Sequence, residues 1–174
     1  MTPPESLQVA LARSALERFV RRKERLELPL ELPDDLARPA ACFVSLHIGA
    51  HLRGCIGTIE PAESCLAAEI ISNAISAGTY DPRFAPVVPE ELAGISCSVD
   101  VLNPPEPIPN LDGHDPKQHG LIVESVRGGR RGLLLPDLEG VDTPDEQRSI
   151  CLAKAGIGPS EPVRLYRFSV TRYH

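Results

Sequence analysis

Cys55 is the side chain best suited to chemistry, because it follows Arg53 by two residues and lies between Gly54 and Gly57 in the segment Leu52-Arg53-Gly54-Cys55-Ile56-Gly57-Thr58. A guanidinium near a thiol lowers its pKa and raises the thiolate fraction available for attack. The same residues also have a plain structural reading. Positions 53 and 55 of a strand share a face without having to touch, and a small buried cysteine flanked by glycines is what close sheet packing demands. In the loop Tyr80-Asp81-Pro82-Arg83-Phe84-Ala85-Pro86, Arg83 offers a planar fork for carboxylate or phosphate, and Asp81 can hold or deprotonate a partner group. The alternative is a loop-internal ion pair with Phe84 as its hydrophobic anchor, since exposed pairs of this kind are common and contribute little.

Other reactive side chains are less informative. His47 and His51 flank Gly49, and His114 and His119 share the loop Asp112-Gly113-His114-Asp115-Pro116-Lys117-Gln118-His119. Neither spacing matches a defined metal motif, and loop histidines are usually solvated or hydrogen-bonded, so no metal is expected. Lys154 is either an amine nucleophile or a cation that complements a helix dipole, a contribution of ~0.3 to 1 kcal/mol. There is no Ser-His-Asp order, P-loop or dinucleotide fingerprint, so no nucleotide cofactor is implied and the cofactor stays unassigned.

These residues must be positioned by regular elements. Leu7, Leu11, Ala15 and Phe19 recur every four positions and predict a helix over residues 5–25 that lies on a sheet. Pro29, Pro33 and Pro39 make residues 27–39 a connecting loop. Residues 41–48 alternate as a strand, Gly49 and Ala50 suggest a turn, and residues 51–59 return as the partner strand of a hairpin carrying Cys55. A helix follows over residues 62–77, with Gly78 as its left-handed cap. Residues 79–89 read as a loop, and Ile95, Cys97, Val99 and Val101 alternate with outward Ser96, Ser98 and Asp100 in a half-buried antiparallel strand.

Four prolines stiffen residues 103–109. Residues 121–126 and 130–135 flank Gly128-Gly129 as a second hairpin, and Thr143-Pro144-Asp145-Glu146 opens a capped helix that Gly156 stops. Residues 163–170 give one last strand.

With 174 residues, one domain is the default, and 42% apolar with 24% charged residues excludes a disordered chain. The five cysteines are odd in number and lack any C-x-x-C pair, which argues for reduced core thiols and against a disulfide framework. A net charge of -6 disfavours nucleic acid as a partner, although Arg18, Arg21, Arg22, Lys23 and Arg25 form a local basic cluster interleaved with glutamates, and Arg127, Arg130 and Arg131 form another around a turn. No membrane span or secretion signal is read, and a cytoplasmic location is expected.

The segment from Leu52 to Thr58, then Asp81-Pro82-Arg83-Phe84, His119-Gly120-Leu121, Leu133-Leu134-Leu135-Pro136 and Lys154-Ala155-Gly156, in this order, resemble the AMMECR domain family over about residues 10–168. Its bacterial and archaeal members are called AmmeMemoRadiSam system protein A, after association with a Memo-type protein of extradiol-dioxygenase resemblance and a radical SAM protein. The resemblance implies an α+β fold, with an antiparallel β-sheet flanked by helices, a smaller second lobe and a cleft between them, in one domain spanning residues 1–174. It places Arg53, Gly54, Cys55, Gly57, Asp81, Arg83 and His119 at motif positions. It further implies an accessory or catalytic component of a radical SAM and Memo-type protein system that modifies a small molecule or macromolecule. Arg53, Cys55, Asp81, Arg83 and His119 are the candidate catalytic residues. The alternative is a non-catalytic protein-binding module in which Cys55 only packs and the turn from Arg127 to Arg131 recruits a partner. The chain departs from the family pattern at Gly140-Val141-Asp142-Thr143, where members often carry an aromatic residue and a longer acidic segment.

Overall fold

The computed structural model describes residues 5–174. The fourfold apolar stripe near the N-terminus forms α1 (Leu7–Arg22), with Ala12, Ala15 and Leu16 buried beneath it. Ser6 caps its start by accepting the Val9 N–H, and Lys23 ends it in a left-handed conformation. The proline-rich connection contains a single helical turn, α2 (Asp34–Ala37), which buries Leu36.

The predicted hairpin is β1 (Cys42–Ile48) and β2 (His51–Gly57), paired antiparallel around Gly49 at φ 59°. Cys42, Val44 and Leu46 face inward from β1, as the alternation required. Helix α3 (Leu66–Thr79) begins later than its pattern suggested. The N–H groups of Ala62 and Glu63 donate to the Glu69 carboxylate at 2.9 and 2.8 Å, so this stretch turns around the carboxylate before the helix starts. The helix also runs through Gly78, which was expected to cap it. A Cβ there would lie 2.3 Å from Leu16 Cδ1, so Gly78 is required by the contact with α1 and not by a left-handed turn. A 3-10 helix (Pro89–Gly94) then leads to β3 (Ile95–Leu102).

The remaining elements are β4 (Glu106–Ile108), β5 (Gly120–Ser125), β6 (Arg131–Leu134), α4 (Pro144–Ala155), β7 (Val163–Phe168) and β8 (Val170–Tyr173). Thr143 and Glu146 form the anticipated capping box of α4, and Gly156 closes it at φ 63°. The single last strand expected over residues 163–170 is two strands divided at Ser169. One sheet has the order β2-β1-β3-β8 and the other β4-β7-β5-β6. Where the chain leaves β7, Ser169 accepts from the Asn103 backbone N–H at 3.0 Å and from its side-chain amide at 2.9 Å, which fixes the division.

Two compact units result among the described residues, one of residues 5–101 with 172–174 and one of residues 102–171. The first packs α1 and α3 on its sheet around Leu16, Val44, Leu46, Ile70, Ala74 and Val99. The second packs α4 on β5 and β6 around Leu121, Val123, Cys151 and Leu152. Asp100 departs from the expected outward row of β3. It is buried and binds Arg172 of β8 at 2.7 and 3.0 Å, so this end of the polar row is covered by a partner that the local alternation cannot reveal.

Close approach of α4 to β6 depends on Gly132, whose Cβ would stand 1.9 Å from the Cys151 carbonyl oxygen. Gly132→Ala is therefore expected to destabilise by ~1–3 kcal/mol, as overpacking against backbone does. Gly94→Ala, at a site where a Cβ meets nothing within 4 Å, should stay within ~0.5 kcal/mol of the parent. Denaturant midpoints compare the two, and equal midpoints would reject the packing argument.

Candidate functional site

β2 is an outer strand of its sheet, so alternate peptide groups along it face away from β1 and need partners elsewhere. At Cys55 those partners are side chains. Its N–H donates to Asp81 Oδ2 at 2.9 Å, and its carbonyl accepts from Arg83 Nη2 at 3.4 Å. Asp81 arrives there because α3 ends at Thr79 and the next residues turn back on themselves. The Phe84 N–H donates to the Asp81 carbonyl at 3.2 Å, and the Arg83 N–H donates to Asp81 Oδ1 at 3.1 Å. Arg83 then grips the same carboxylate through Nε at 3.0 Å and Nη2 at 2.7 Å.

Asp81 is 3% exposed, yet its oxygens accept from both neighbours. The Arg83 side-chain bonds hold its pKa well below the usual carboxylate range, outweighing the effect of burial, with the Cys55 and Arg83 backbone N–H groups adding to the shift.

Arg53 is held elsewhere. Its Nε and Nη2 donate to the two Glu91 carboxylate oxygens at 2.8 and 2.9 Å, and Glu91 also accepts from the Val88 N–H at 3.0 Å. The Phe84 ring lies near both guanidiniums, 5.9 Å from Arg53 Cζ and 5.5 Å from Arg83 Cζ. Sequence reasoning missed Glu91. Its only local signal is a place in the first turn after Pro89, where an acidic residue is ordinary.

The Cys55 sulfur accepts from Ser45 Oγ at 3.3 Å across the β1–β2 pair. Burial pushes this thiol's pKa up, and the Ser45 bond and the Arg83 charge oppose the shift only in part. An Arg53-activated thiolate is thus not what the geometry produces, because the Arg53 guanidinium is committed to Glu91. Gly54 is needed for contact with α3, since a Cβ there would lie 2.2 Å from the Ala77 carbonyl oxygen. Thr58 ends the segment by donating to Glu69 Oε1 at 2.5 Å.

His119 belongs to the second unit, where its ring neighbours His114 and its carbonyl accepts from Gln147 Nε2 at 3.1 Å. Lys154 donates its Nζ to the Leu133 carbonyl at 2.8 Å, tying α4 to β6. In the basic turn, Arg130 binds the Gly156 carbonyl and Glu161, both at 2.5 Å, and Arg131 pairs with Glu124 at 3.1 Å.

The AMMECR1 family model matches residues 9–173, almost the whole described chain. The chain belongs to the AMMECR1 family. It is similar to a Thermotoga maritima protein, 50% identical over 161 residues and covering 91% of each chain. A Methanothermobacter thermautotrophicus protein is 42% identical over 182 residues, covering 95% of this chain and 91% of the relative. Among solved structures, the crystal structure of the uncharacterized protein PH0010 from Pyrococcus horikoshii superposes with a TM-score of 0.81 at 32% identity, over 95% of this chain and 88% of that one. These AMMECR1 relatives agree with an α+β fold of antiparallel sheets and flanking helices.

For this AMMECR1 chain, Asp81→Ala is expected to cost about 2–3 kcal/mol at neutral pH. That is below the full range for breaking a buried pair, because Arg83 is half-exposed. Since the folded-state pKa of Asp81 is depressed, its contribution is fully present above the unfolded-state value of ~3.9 and is lost as pH falls below it. The stability difference between parent and variant should therefore be flat from neutral pH to about 5 and shrink below about 4. A difference that persists undiminished in strong acid would show that the carboxylate charge is not what stabilises.

Proposed function

We propose that this chain is a non-catalytic recognition component working beside a radical SAM protein and a Memo-type protein in the cytoplasm. The frame around Cys55 is the rigid part of the surface it presents. One observation carries this reading: the charged groups of the candidate site are committed to each other and to backbone. Asp81 holds the Cys55 N–H, Arg83 holds Asp81, and Arg53 holds Glu91.

A nucleophilic cysteine needs a substantial thiolate fraction near neutral pH, whereas burial drives this thiol the other way. A recognition surface needs a fixed backbone with exposed side chains around it. Tyr80, Val88 and Leu52 are 66%, 48% and 38% exposed, and they are chain neighbours of residues in the frame or bonded to it. Tyrosine and arginine are the side chains most often found at the energetic centre of interfaces. The alternative docking point, the basic turn, is supported less because Arg130 and Arg131 are engaged with Glu161 and Glu124. The two partner classes follow from the family resemblance, and the cytoplasmic placement from five free cysteines. No helix among the described residues is long and apolar enough to cross a membrane.

The test compares Cys55→Ser with Tyr80→Ala in co-purification with the two partner proteins and in the output of the reconstituted system. Recognition predicts that Cys55→Ser retains both, while Tyr80→Ala weakens partner binding at least tenfold. The rate of iodoacetamide labelling at Cys55 should rise with a midpoint above the ~8.5 of a free thiol. Lost output in Cys55→Ser together with a lower labelling midpoint would return the catalytic reading of Arg53, Cys55, Asp81, Arg83 and His119.

A further inference from the structure

The outer face of α1 carries a charge pattern that the frame around Cys55 does not use. With Ala12, Ala15 and Leu16 buried on one side of the helix, Ser14, Arg18, Arg21 and Arg22 fall on the other, along its last turns. Lys23 then reverses the chain in its left-handed conformation, and Glu24 comes back to bind Arg18 at 3.0 Å. The result is a groove of about 300 Å³ lined by Ser14, Glu17, Arg18, Arg21 and Arg22, with the partly buried Leu26 as its apolar member. Five basic and two acidic residues fall within residues 17–26, in a chain whose net charge is -6.

These cations are not all committed. Arg18 faces Glu24, Arg25 binds Glu63 at 3.1 Å, and Lys23 Nζ lies 5.5 Å from the centre of the Phe19 ring. Arg21 and Arg22 are exposed and bind no carboxylate among the described residues. Like charges three and four positions apart on a helix repel, and Arg18 has Arg21 and Arg22 at those spacings. The attraction of a helix C-terminus for cations offsets part of this repulsion but does not call for a groove. The segment that follows has the opposite character. In Glu27-Leu28-Pro29-Leu30-Glu31 both glutamates are exposed without a basic partner among the described residues, and Leu28 and Leu30 are exposed, Leu30 completely. Pro29 and Pro33 stiffen this stretch, and its carboxylates do not reach back to Arg21 and Arg22 of the same copy.

We propose that the segment from Glu27 to Glu31 of one copy docks in the α1 groove of a second copy, and that the reciprocal contact closes a symmetric dimer. Charge complementarity selects this occupant. One chain carries both an uncommitted pair of arginines and an uncommitted pair of glutamates, and a two-fold axis pairs them by making the same contact twice. Leu30 supplies the apolar part. Exposed ion pairs alone contribute little, whereas a leucine laid against Leu26 and the arginine stems removes apolar surface from water. Nucleic acid fits the groove less well, because the acidic excess of the rest of the chain repels a phosphate backbone. A contact built from two short segments and two grooves belongs to the weak, salt-sensitive class of interfaces. Neither Cys55 nor Tyr80 takes part, so the dimer and partner recognition at the Cys55 frame stand or fall separately.

Sedimentation velocity of the full chain tests this under weak and strong screening, at about 0.05 M and about 0.5 M NaCl. A dimer is expected at low salt, with its dissociation constant raised at least tenfold at high salt. The double variant Arg21→Glu with Arg22→Glu and the double variant Glu27→Arg with Glu31→Arg change only exposed side chains. Each should weaken self-association at least tenfold. An equimolar mixture of the two should restore dimers, because every groove then meets a segment of opposite charge. Leu30→Ser should weaken the dimer without moving the denaturation midpoint, and Tyr80→Ala should leave the dimer unchanged. A chain that is monomeric at low salt, a dimer indifferent to both charge reversals, or a mixture no tighter than its parts would each overturn the proposal. A monomer that binds a polyglutamate peptide through Arg21 and Arg22 would overturn it in favour of an acidic partner protein.

Discussion

An outer strand that carries unpaired peptide groups invites association with any passing strand, and this chain answers the problem at Cys55 with two side chains. Asp81 accepts from the N–H, and Arg83, locked onto Asp81, donates to the carbonyl. The pair acts as a short substitute strand along the edge of β2. Much else follows from it. The loop after α3 is pinned to the sheet, its Phe84 ring is held near two guanidiniums, and the Cys55 side chain is fixed opposite Ser45. Gly54 completes the constraint, since the strand can approach the end of α3 only where a side chain is missing.

How far the sequence discloses this depends on the range of each interaction. The stripe of α1, the alternation of β1, the turn at Gly49 and the cap of α4 are local patterns, and each maps onto the element it implies. Where the reading went astray, the deciding partner was distant. Gly78 serves a contact with Leu16, Asp100 is covered by Arg172, and the last strand breaks at Ser169 because Asn103 binds it there. None of these partners lies within the window that sets a propensity. The candidate site divides the same way. Asp81 with Arg83 was legible as a loop-internal pair, whereas Glu91 as the partner of Arg53 needs a fold that brings residues 38 apart into contact.

Charge placement then decides what the Cys55 region can do. An arginine activates a thiol when its own charge is unspent, and both arginines here face carboxylates at bidentate distance. At the sulfur the Arg83 charge is opposed by Asp100 and Asp81, and desolvation is the largest influence, so burial prevails. Rigidity is the property left over. A backbone held at both its donor and its acceptor presents neighbouring side chains with little conformational entropy to lose, and that favours binding over bond making.

Both units meet buried polar groups with partners drawn from the chain itself. In the first, Glu69 accepts from Thr58, Ala62 and Glu63, and Asp81 accepts from Cys55 and Arg83, so these buried carboxylates are met by donors from the chain itself. In the second, the Gln147 side-chain amide bridges His114 Nε2 at 2.6 Å and the His119 carbonyl at 3.1 Å. The amide's orientation is set by the His119 carbonyl, which only accepts, so Gln147 ties the ring of one histidine to the backbone of the other.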